Sequence, residues 1–231
     1  MFNKFTRMVD YNNTTITENT RAAYPLHFIP NAKIPALISA HPSAIILLCC
    51  DAFGVFPPVS KLTPEQVQYL FISGYTAKVA GTEQGVTEPS ATFSACFGAP
   101  FLVWHPIVYA QMLATKLKNH ACAAYLLNTG WTGGPHGVGS RIKLRFTRKM
   151  VDAINSGVLE NTQTQNMPVF NFAVPTHIEG VPDELLWPSK TWPSTEAYEK
   201  QLHKLADLFK NNFADYAAQC PDKVCKAGPS Y

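Results

Sequence analysis

A glycine-rich segment at residues 130–139, followed by Arg141, is the part of the sequence best suited to binding a ligand. Glycine lets the backbone approach a ligand closely and adopt positive φ angles, and a guanidinium can stack on a base or pair with a phosphate. The segment is not a phosphate loop of the GxxxxGKS/T type, because Ser140 stands where that motif requires lysine. The glycines alone fit a turn as well as a ligand site, and Arg141 favours the ligand site.

Two further polar groups could do chemistry. Glu18, Asn19 and Arg21 lie close together in the sequence, and Arg21 could bind a carboxylate or a phosphate through two hydrogen bonds. The alternative is a surface arginine that only pairs with Glu18. Asp51 ends an apolar run, which is where ligands bind in open α/β sheets, although it could equally cap a turn. The residues alone leave both pairs of alternatives open.

The histidines and cysteines predict no metal site. The seven histidines lack HxxxH and HExxH spacing, and the six cysteines form no CxxC pair. Only His136, inside the glycine-rich segment, is a candidate for contact with a ligand. We therefore expect free and mostly buried thiols, which are typical of a reducing compartment.

Composition and charge narrow the class of protein. Apolar residues make up 46% of the chain and charged residues 15%, a globular profile, and the formal charge is only +3. A balance so close to neutral predicts neither a nucleic-acid partner nor an anionic membrane partner. The longest apolar run, residues 44–50, is too short to span a bilayer. With polar sequence after the first methionine and no signal peptide in view, we expect a cytoplasmic protein.

The apolar runs and helix signals predict an α/β fold, a mixed sheet with flanking helices. Thr63, Pro64 and Gln66 have the spacing of a capping box with proline at the first helical position. A second helix is expected to begin at Thr147 and to stop at Gly157. The predicted strands span 43–49, 123–128 and 167–174, and the other predicted helices span 106–120 and 195–216.

The chain reads as one unit without an internal linker. Residues 1–14 are poorly patterned, residues 15–220 form one lobe, and residues 221–231 are a tail that we expect to fray. Residues 74–98 are rich in glycine, threonine and serine and lack a helical period. We expect a long loop with short ordered pieces, and a loop of this length is typically functional or disordered.

Several long motifs, in the right order, resemble the ATP-dependent phosphoenolpyruvate carboxykinases. The resemblance extends from about Thr15 to Tyr216, and the segments most resemble those of fungal members. It implies that the α/β fold is the C-terminal, nucleotide-binding lobe of that family. The motifs are TENTR at 17–21 with YP at 24–25, DAFGVFPPVSKLT at 51–63, GYTAK at 74–78, AGTEQGVTEP at 80–89, TFSACFG at 92–98, LNTGW at 127–131, RIKLRFT at 141–147 and MPVFN at 167–171.

The resemblance implies a reaction and assigns residues to it. The family converts oxaloacetate and ATP to phosphoenolpyruvate, carbon dioxide and ADP, using Mg²⁺ with ATP and Mn²⁺ in the complete enzyme. By resemblance, Arg21 is the catalytic arginine that contacts both substrate and ATP phosphate. Arg141 and Ile142 match contacts on the adenine side, and Thr147 matches a further ATP contact. Residues 74–98 resemble, at least in part, a mobile lid whose closure excludes water.

The departures from the family are as informative as the matches. Its phosphate loop and its lysine, histidine and aspartate metal ligands precede the TENTR segment, and this sequence does not contain them. We expect this chain to be a fragment without metal ligands of its own. Its expected partner is the N-terminal half of the family's fold, which is missing from this sequence. Two alternatives remain: a non-catalytic nucleotide-binding module, and a structural fragment without a function of its own.

The position of the candidate residues leads to a structural expectation. Arg141, Ile142 and Thr147 lie between a glycine-rich segment and a predicted helix start. We expect them together at one end of the sheet, lining a groove and not the core. Thr147 would then either contact the ligand or cap its helix.

The first testable prediction is that the 231-residue chain has no carboxykinase activity by itself. Phosphoryl transfer needs a cradle for the β- and γ-phosphates and divalent metal to offset their charge. The assay supplies oxaloacetate, ATP, Mg²⁺ and Mn²⁺, with a reaction lacking the chain as the control. Phosphoenolpyruvate formed above that control, and lost in Arg21→Ala, would contradict the expectation.

Overall fold

The computed structural model describes most of the chain, and its contacts divide into two compact units. One unit comprises residues 1–40 and 78–90, and its described part contains a short 3-10 helix at Leu26–Phe28. The other comprises residues 41–77 and 91–231 and contains the main sheet with the helices that pack on it. The described residues are 3–10, 13, 15, 23–34, 40–78 and 88–231.

The secondary structure consists of alternating strands and helices. The strands are β1 (Ala44–Cys49), β2 (Val59–Lys61), β3 (Tyr75–Lys78), β4 (Ser90–Phe93), β5 (Ala123–Asn128), β6 (Trp131–Thr132), β7 (Ser140–Arg141), β8 (Thr164–Asn166) and β9 (Ala173–Pro175). The helices are α1 (Pro64–Ser73), α2 (Pro106–Asn119), α3 (Leu144–Asn155), α4 (Val158–Asn161), α5 (Asp183–Leu186), α6 (Pro188–Thr191), α7 (Thr195–Ala217) and α8 (Asp222–Cys225).

The main sheet is mixed, with strand order β1-β5-β2-β9-β8. β1 and β5 are parallel, with Ala44 opposite Ala123 and Cys49 opposite Asn128. β2 runs antiparallel to β5 and to β9, and β8 runs antiparallel to β9. β3 pairs with β4, and β6 with β7, in separate two-stranded sheets. The predicted α/β fold with a mixed sheet and flanking helices is confirmed, and both predicted strands at 43–49 and 123–128 belong to this sheet.

Helix α1 begins where its sequence signal predicts. The Thr63 side chain accepts a hydrogen bond from the Gln66 backbone, and the Gln66 side chain accepts one from the Thr63 backbone, which completes the capping box. Pro64 occupies the first helical position. The helix ends at Gly74, whose φ of 56° is left-handed. A side chain at Gly74 would overlap the carbonyl of Ser94, so glycine is required there by space as well as by conformation.

The long helix α7 supplies one wall of an aromatic core, as its apolar periodicity predicts. Phe209, fully buried, sits at the centre of this cluster. Aromatic side chains of this size contribute most of a core's buried area. The rings that pack against Phe209 are those of Phe56, Tyr69, Tyr75, Phe93 and Phe170.

The predicted strand at 167–174 is wrong over most of its length. Residues 167–172 form a turn closed by a hydrogen bond from the Met167 amide to the Phe172 carbonyl, and only Ala173 begins a strand. Val169 and Asn171 have positive φ angles of 68° and 53°. Met167, Phe170 and Phe172 are nevertheless buried, so the apolar run indicated burial and not an extended backbone.

The start of α3 and the state of the C-terminus also differ from expectation. α3 begins at Leu144, after Lys143, so Thr147 lies inside the helix and does not cap it. The expected stop is confirmed, because Gly157 has a left-handed φ of 75° beyond the last turn. The C-terminal residues do not fray: Val224 in α8 is buried, and the Ser230 amide donates to the carbonyl of Val169.

The described parts of residues 74–98 contain short ordered pieces, as expected. β3, β4 and a 3-10 helix at Ala95–Phe97 account for their described parts, and residues 79–87 lie outside the described residues. Within the described ranges, no helix combines the length and the apolar character needed to cross a bilayer.

Candidate functional site

The site is built where the parallel strands β1 and β5 end. Asn128, fully buried as the last residue of β5, joins the two strand ends. Its Oδ1 accepts hydrogen bonds from the amides of Asp51 at 2.9 Å and Gly130 at 2.8 Å. Its Nδ2 donates to the carbonyl of Phe56 at 2.9 Å. One side chain thereby connects three backbone segments at this end of the sheet.

Asp51 organises the loop that follows β1. Its carboxylate accepts hydrogen bonds from the amides of Phe53, Val55 and Phe56 and from the Tyr75 hydroxyl, at 2.7 to 2.9 Å. Burial raises the pKa of Asp51, and the hydrogen bonds act in the opposite direction. Of the two roles left open by the sequence, Asp51 therefore takes the turn-capping one, since its oxygens are occupied by the protein's own donors.

The glycines mainly allow two loops to approach each other. A side chain at Gly130 would overlap the backbone of Asp51, and one at Gly54 would overlap the carbonyl of Gly134. The glycine-rich segment is thus packed against the loop after β1, backbone to backbone. These glycines allow close contact between two backbone segments of the protein, as the turn interpretation of the sequence expects. Arg141 remains as the residue that can contact a ligand.

A short hairpin carries Arg141. In the β6–β7 ladder, Trp131 lies opposite Arg141 and Thr132 lies opposite Ser140. The hairpin is anchored to α6, because Thr191 Oγ1 accepts from the Gly133 amide and lies 3.0 Å from Thr132 Oγ1. These hydrogen bonds tie the hairpin to α6 at the end of the sheet.

The Arg141 side chain is exposed, yet it is held by three groups. Its Nε donates to the carbonyl of Thr129 at 3.1 Å, and its Nη2 lies 3.8 Å from Cys50 Sγ. Its guanidinium carbon lies over the Trp131 ring, 5.3 Å from the ring centroid. Burial raises the pKa of Cys50, while the neighbouring Arg141 charge acts to lower it. Arg141 is thus a fixed cation with access to solvent.

The other predicted site residues are placed differently. The Ile142 side chain is 7% exposed and belongs to the hydrophobic core, so the expectation that it lines a groove and not the core is wrong. Its amide donates to the Gly130 carbonyl at 2.9 Å, which draws the apolar side chain inward. Thr147 is half-buried on α3, and it lines an open concavity of about 400 Å³ with Leu144, Arg148, Val151 and Asp152.

Arg21 and the rest of the TENTR segment lie outside the described residues. Among the described residues, no group of three or more histidine, cysteine or acidic side chains could hold a metal ion. His136 is exposed, and its ring meets the Trp131 ring edge to face at 5.3 Å.

Sequence reasoning missed the partners of Arg141. Thr129 and Trp131 belong to a recognised motif, and Cys50 directly precedes another, but only the register of the hairpin and of the parallel strands shows that the three residues converge. Thr191 was missed as well, because no local pattern connects a residue of α6 to a hairpin about sixty positions earlier.

The fold and the site are those of an α/β lobe with a ligand site at the end of its sheet. An exposed, fixed arginine lies at the carboxyl end of a parallel strand pair, which is where ligands bind in open α/β sheets. Comparison with known proteins then identifies the family. A family model for phosphoenolpyruvate carboxykinase matches residues 1–184. The chain belongs to the ATP-dependent phosphoenolpyruvate carboxykinase family, which confirms the resemblance seen in its motifs.

Relatives from distant organisms agree. The chain is 58% identical over 229 residues to the ATP-type phosphoenolpyruvate carboxykinase of Dictyostelium discoideum, covering 99% of this chain and 41% of the relative. It is 54% identical to that of Saccharomyces cerevisiae, covering 100% of this chain and 42% of the relative. It is 52% identical to an ATP-type phosphoenolpyruvate carboxykinase of Arabidopsis thaliana, covering 100% of this chain and 35% of the relative. The chain therefore spans about two fifths of the length of the curated relatives that it matches.

The Asp51 network leads to a stability prediction. Asp51→Asn should lower the free energy of unfolding by roughly 2 to 4 kcal/mol, because the amide has one acceptor oxygen and turns an NH₂ group toward backbone donors. Tyr75→Phe, which removes a single donor, should cost about 1 kcal/mol. Urea unfolding followed by circular dichroism measures both changes.

The matched control for Asp51→Asn is Asp183→Asn, since Asp183 is exposed and its carboxylate pairs with His177 at the surface. It should change the unfolding free energy by no more than about 0.5 kcal/mol. Equal effects of the two Asp→Asn changes would contradict the organising role of Asp51.

Proposed function

We propose that this chain provides the adenine side of the nucleotide site in an ATP-dependent phosphoenolpyruvate carboxykinase. The whole protein would convert oxaloacetate and ATP to phosphoenolpyruvate, carbon dioxide and ADP. Membership of the family and the intact motifs support this reaction. The observation that carries the proposal is the state of Arg141, an exposed guanidinium fixed at the carboxyl end of the parallel strands.

In this proposal Arg141 binds the purine or the phosphates of ATP from the hairpin. The guanidinium carbon lies over the Trp131 ring, and the side chain is exposed, so it can also meet a ligand from the solvent side. Ile142 would contribute through its backbone and by supporting the site from the core, because its side chain is buried. Thr147 would approach ATP from α3, where it is partly exposed.

Arg21 is proposed as the residue that contacts both substrate and the phosphate of ATP. Its support is the intact TENTR segment. A bidentate guanidinium there would offset negative charge on the phosphoryl group in transit. Residues 74–98 are proposed as part of a lid that excludes water during transfer.

In this proposal the metal ions of the reaction are held by residues outside this chain. Mg²⁺ prefers several oxygen ligands, and the described residues bring no suitable group of side chains together. In the proposal, Mg²⁺ with ATP and Mn²⁺ belong to the whole protein and are held by other residues. No step of the reaction is assigned to a metal held by this chain.

The cellular role follows from the reaction. Production of phosphoenolpyruvate from oxaloacetate is a gluconeogenic step, and we propose that the whole protein performs it in the cytoplasm. The unpaired cysteines of the described chain support a reducing compartment.

The proposal predicts that Arg141→Ala weakens ATP binding by the chain about tenfold or more, because hydrogen bonds to a charged group and a cation–π stack are lost together. Isothermal titration calorimetry at fixed salt gives the dissociation constant. Arg145→Ala is the matched control, since Arg145 is also exposed and also lies over an aromatic ring, that of Phe146.

Arg145→Ala should leave the ATP dissociation constant unchanged. Equal affinities of the Arg141→Ala variant and the parent chain would reject the adenine-side assignment. If the parent chain shows no ATP binding at all, the nucleotide site is not present in this polypeptide, and the structural-fragment alternative stands in its place.

A further inference from the structure

Trp131 and Arg141 form a directly opposed pair in the β6–β7 hairpin. The pair is asymmetric in exposure: the Trp131 side chain is 9% exposed, whereas Arg141 is open to solvent. The guanidinium carbon lies 5.3 Å from the centroid of the indole, within the distance of a cation–π contact. A surface cation therefore rests on a ring that belongs to the protein interior.

The ring itself has little freedom to turn away. The Trp131 amide donates to the carbonyl of Asp51 at 2.9 Å, which ties the hairpin to the buried end of β1. The His136 ring packs edge to face against the indole, with an interplanar angle of 82°. On the α6 side, Thr191 holds the Gly133 amide. The indole is thus a fixed surface and not a mobile side chain.

The three contacts of Arg141 constrain different parts of its side chain. The Thr129 carbonyl fixes Nε, and Cys50 lies beside Nη2, so both act at the edge of the guanidinium. The Trp131 ring adds the third contact, an attraction between the cation and the π system that neither of the other two groups supplies. A free arginine side chain has many rotamers, and ordering such a side chain during binding reduces affinity.

We propose that Trp131 is a positioning residue for the nucleotide site: its ring holds the Arg141 guanidinium in the place that receives the nucleotide. Arg141 lies over the Trp131 ring, and Trp131 acts on the ligand only through Arg141. The proposal rests on the proposed function, because the ligand of Arg141 is taken to be ATP. It adds that the affinity for ATP depends on Trp131, a residue that is itself buried.

The test compares Trp131→Leu and Trp131→Phe in the 231-residue chain. Leucine removes the aromatic face, and phenylalanine restores one. The first readout needs no nucleotide: ¹⁵N relaxation of the Arg141 Nε–H group reports the order of its side chain. The second readout is the ATP dissociation constant. Trp187→Leu, a half-buried tryptophan beside α6, is the matched control.

We expect Trp131→Leu to disorder the Arg141 Nε–H group and to weaken ATP binding roughly three- to tenfold, the loss that corresponds to ordering one long side chain. Trp131→Phe should restore the order and keep the affinity within about twofold, since a phenyl face still attracts the cation. Trp187→Leu should change neither readout. Far-UV circular dichroism and the cooperativity of urea unfolding check the fold, and Trp131→Met replaces the leucine variant if that variant does not fold.

An Arg141 Nε–H group that stays ordered in Trp131→Leu would overturn the inference, and so would a phenylalanine variant that behaves like leucine. Arg141→Ala, measured alongside, separates the two proposals. If it leaves the ATP dissociation constant unchanged, the proposed function fails, and the relaxation data still decide whether Trp131 holds Arg141. If it weakens binding while Trp131→Leu does not, the positioning role alone is wrong.

Discussion

The buried carboxylate of Asp51 is the constraint on which the rest of the site depends. It lies at the point where β1 ends, fully buried, and it satisfies four donors of the protein. An unpaired carboxylate in that position would be strongly unfavourable, so the loop after β1 must present its amides to Asp51. The folded loop then offers the backbone surface on which the glycine-rich segment packs.

The position of Arg141 depends on this arrangement. Asn128 links the ends of β1 and β5, the Asp51 carbonyl accepts from Trp131, and Trp131 lies opposite Arg141. Each link is a contact between groups that are far apart in sequence but adjacent in space. A second surface, the groove of about 450 Å³ between α1 and α2, includes Ala123 and Ala124 at the opposite end of β5. Its lining contains neither the hairpin nor Asp51.

Local sequence signals predicted the elements that local interactions stabilise. The capping box placed the start of α1, and the apolar period placed α7, because both effects act within a few residues. The strand predicted for the apolar run at 167–174 was wrong over most of its length. The apolar side chains of this run are buried, but the backbone that carries them forms a turn with positive φ at Val169. The helix start at Thr147 was wrong because α3 begins without a side-chain cap.

The candidate site was predicted only in part, for a related reason. Motif resemblance led to Arg141, but a motif states neither which neighbours hold a side chain nor whether it points inward. Ile142 follows Arg141 directly and is buried, because its amide hydrogen bond to Gly130 fixes the orientation of that stretch. For Asp51, the sequence left a ligand contact and a turn cap as equal alternatives, and only the positions of four donors decide between them.

ATP is proposed to meet this chain at the β6–β7 hairpin, and nuclear magnetic resonance can test this directly. The measurement is a titration of the ¹⁵N-labelled chain with ATP, followed by amide, indole and arginine Nε–H chemical shifts. We expect saturable shifts at the Trp131 indole, the Arg141 Nε–H group and the Ile142 amide. Shifts confined to the groove between α1 and α2, or no saturable shift at the hairpin, would contradict it.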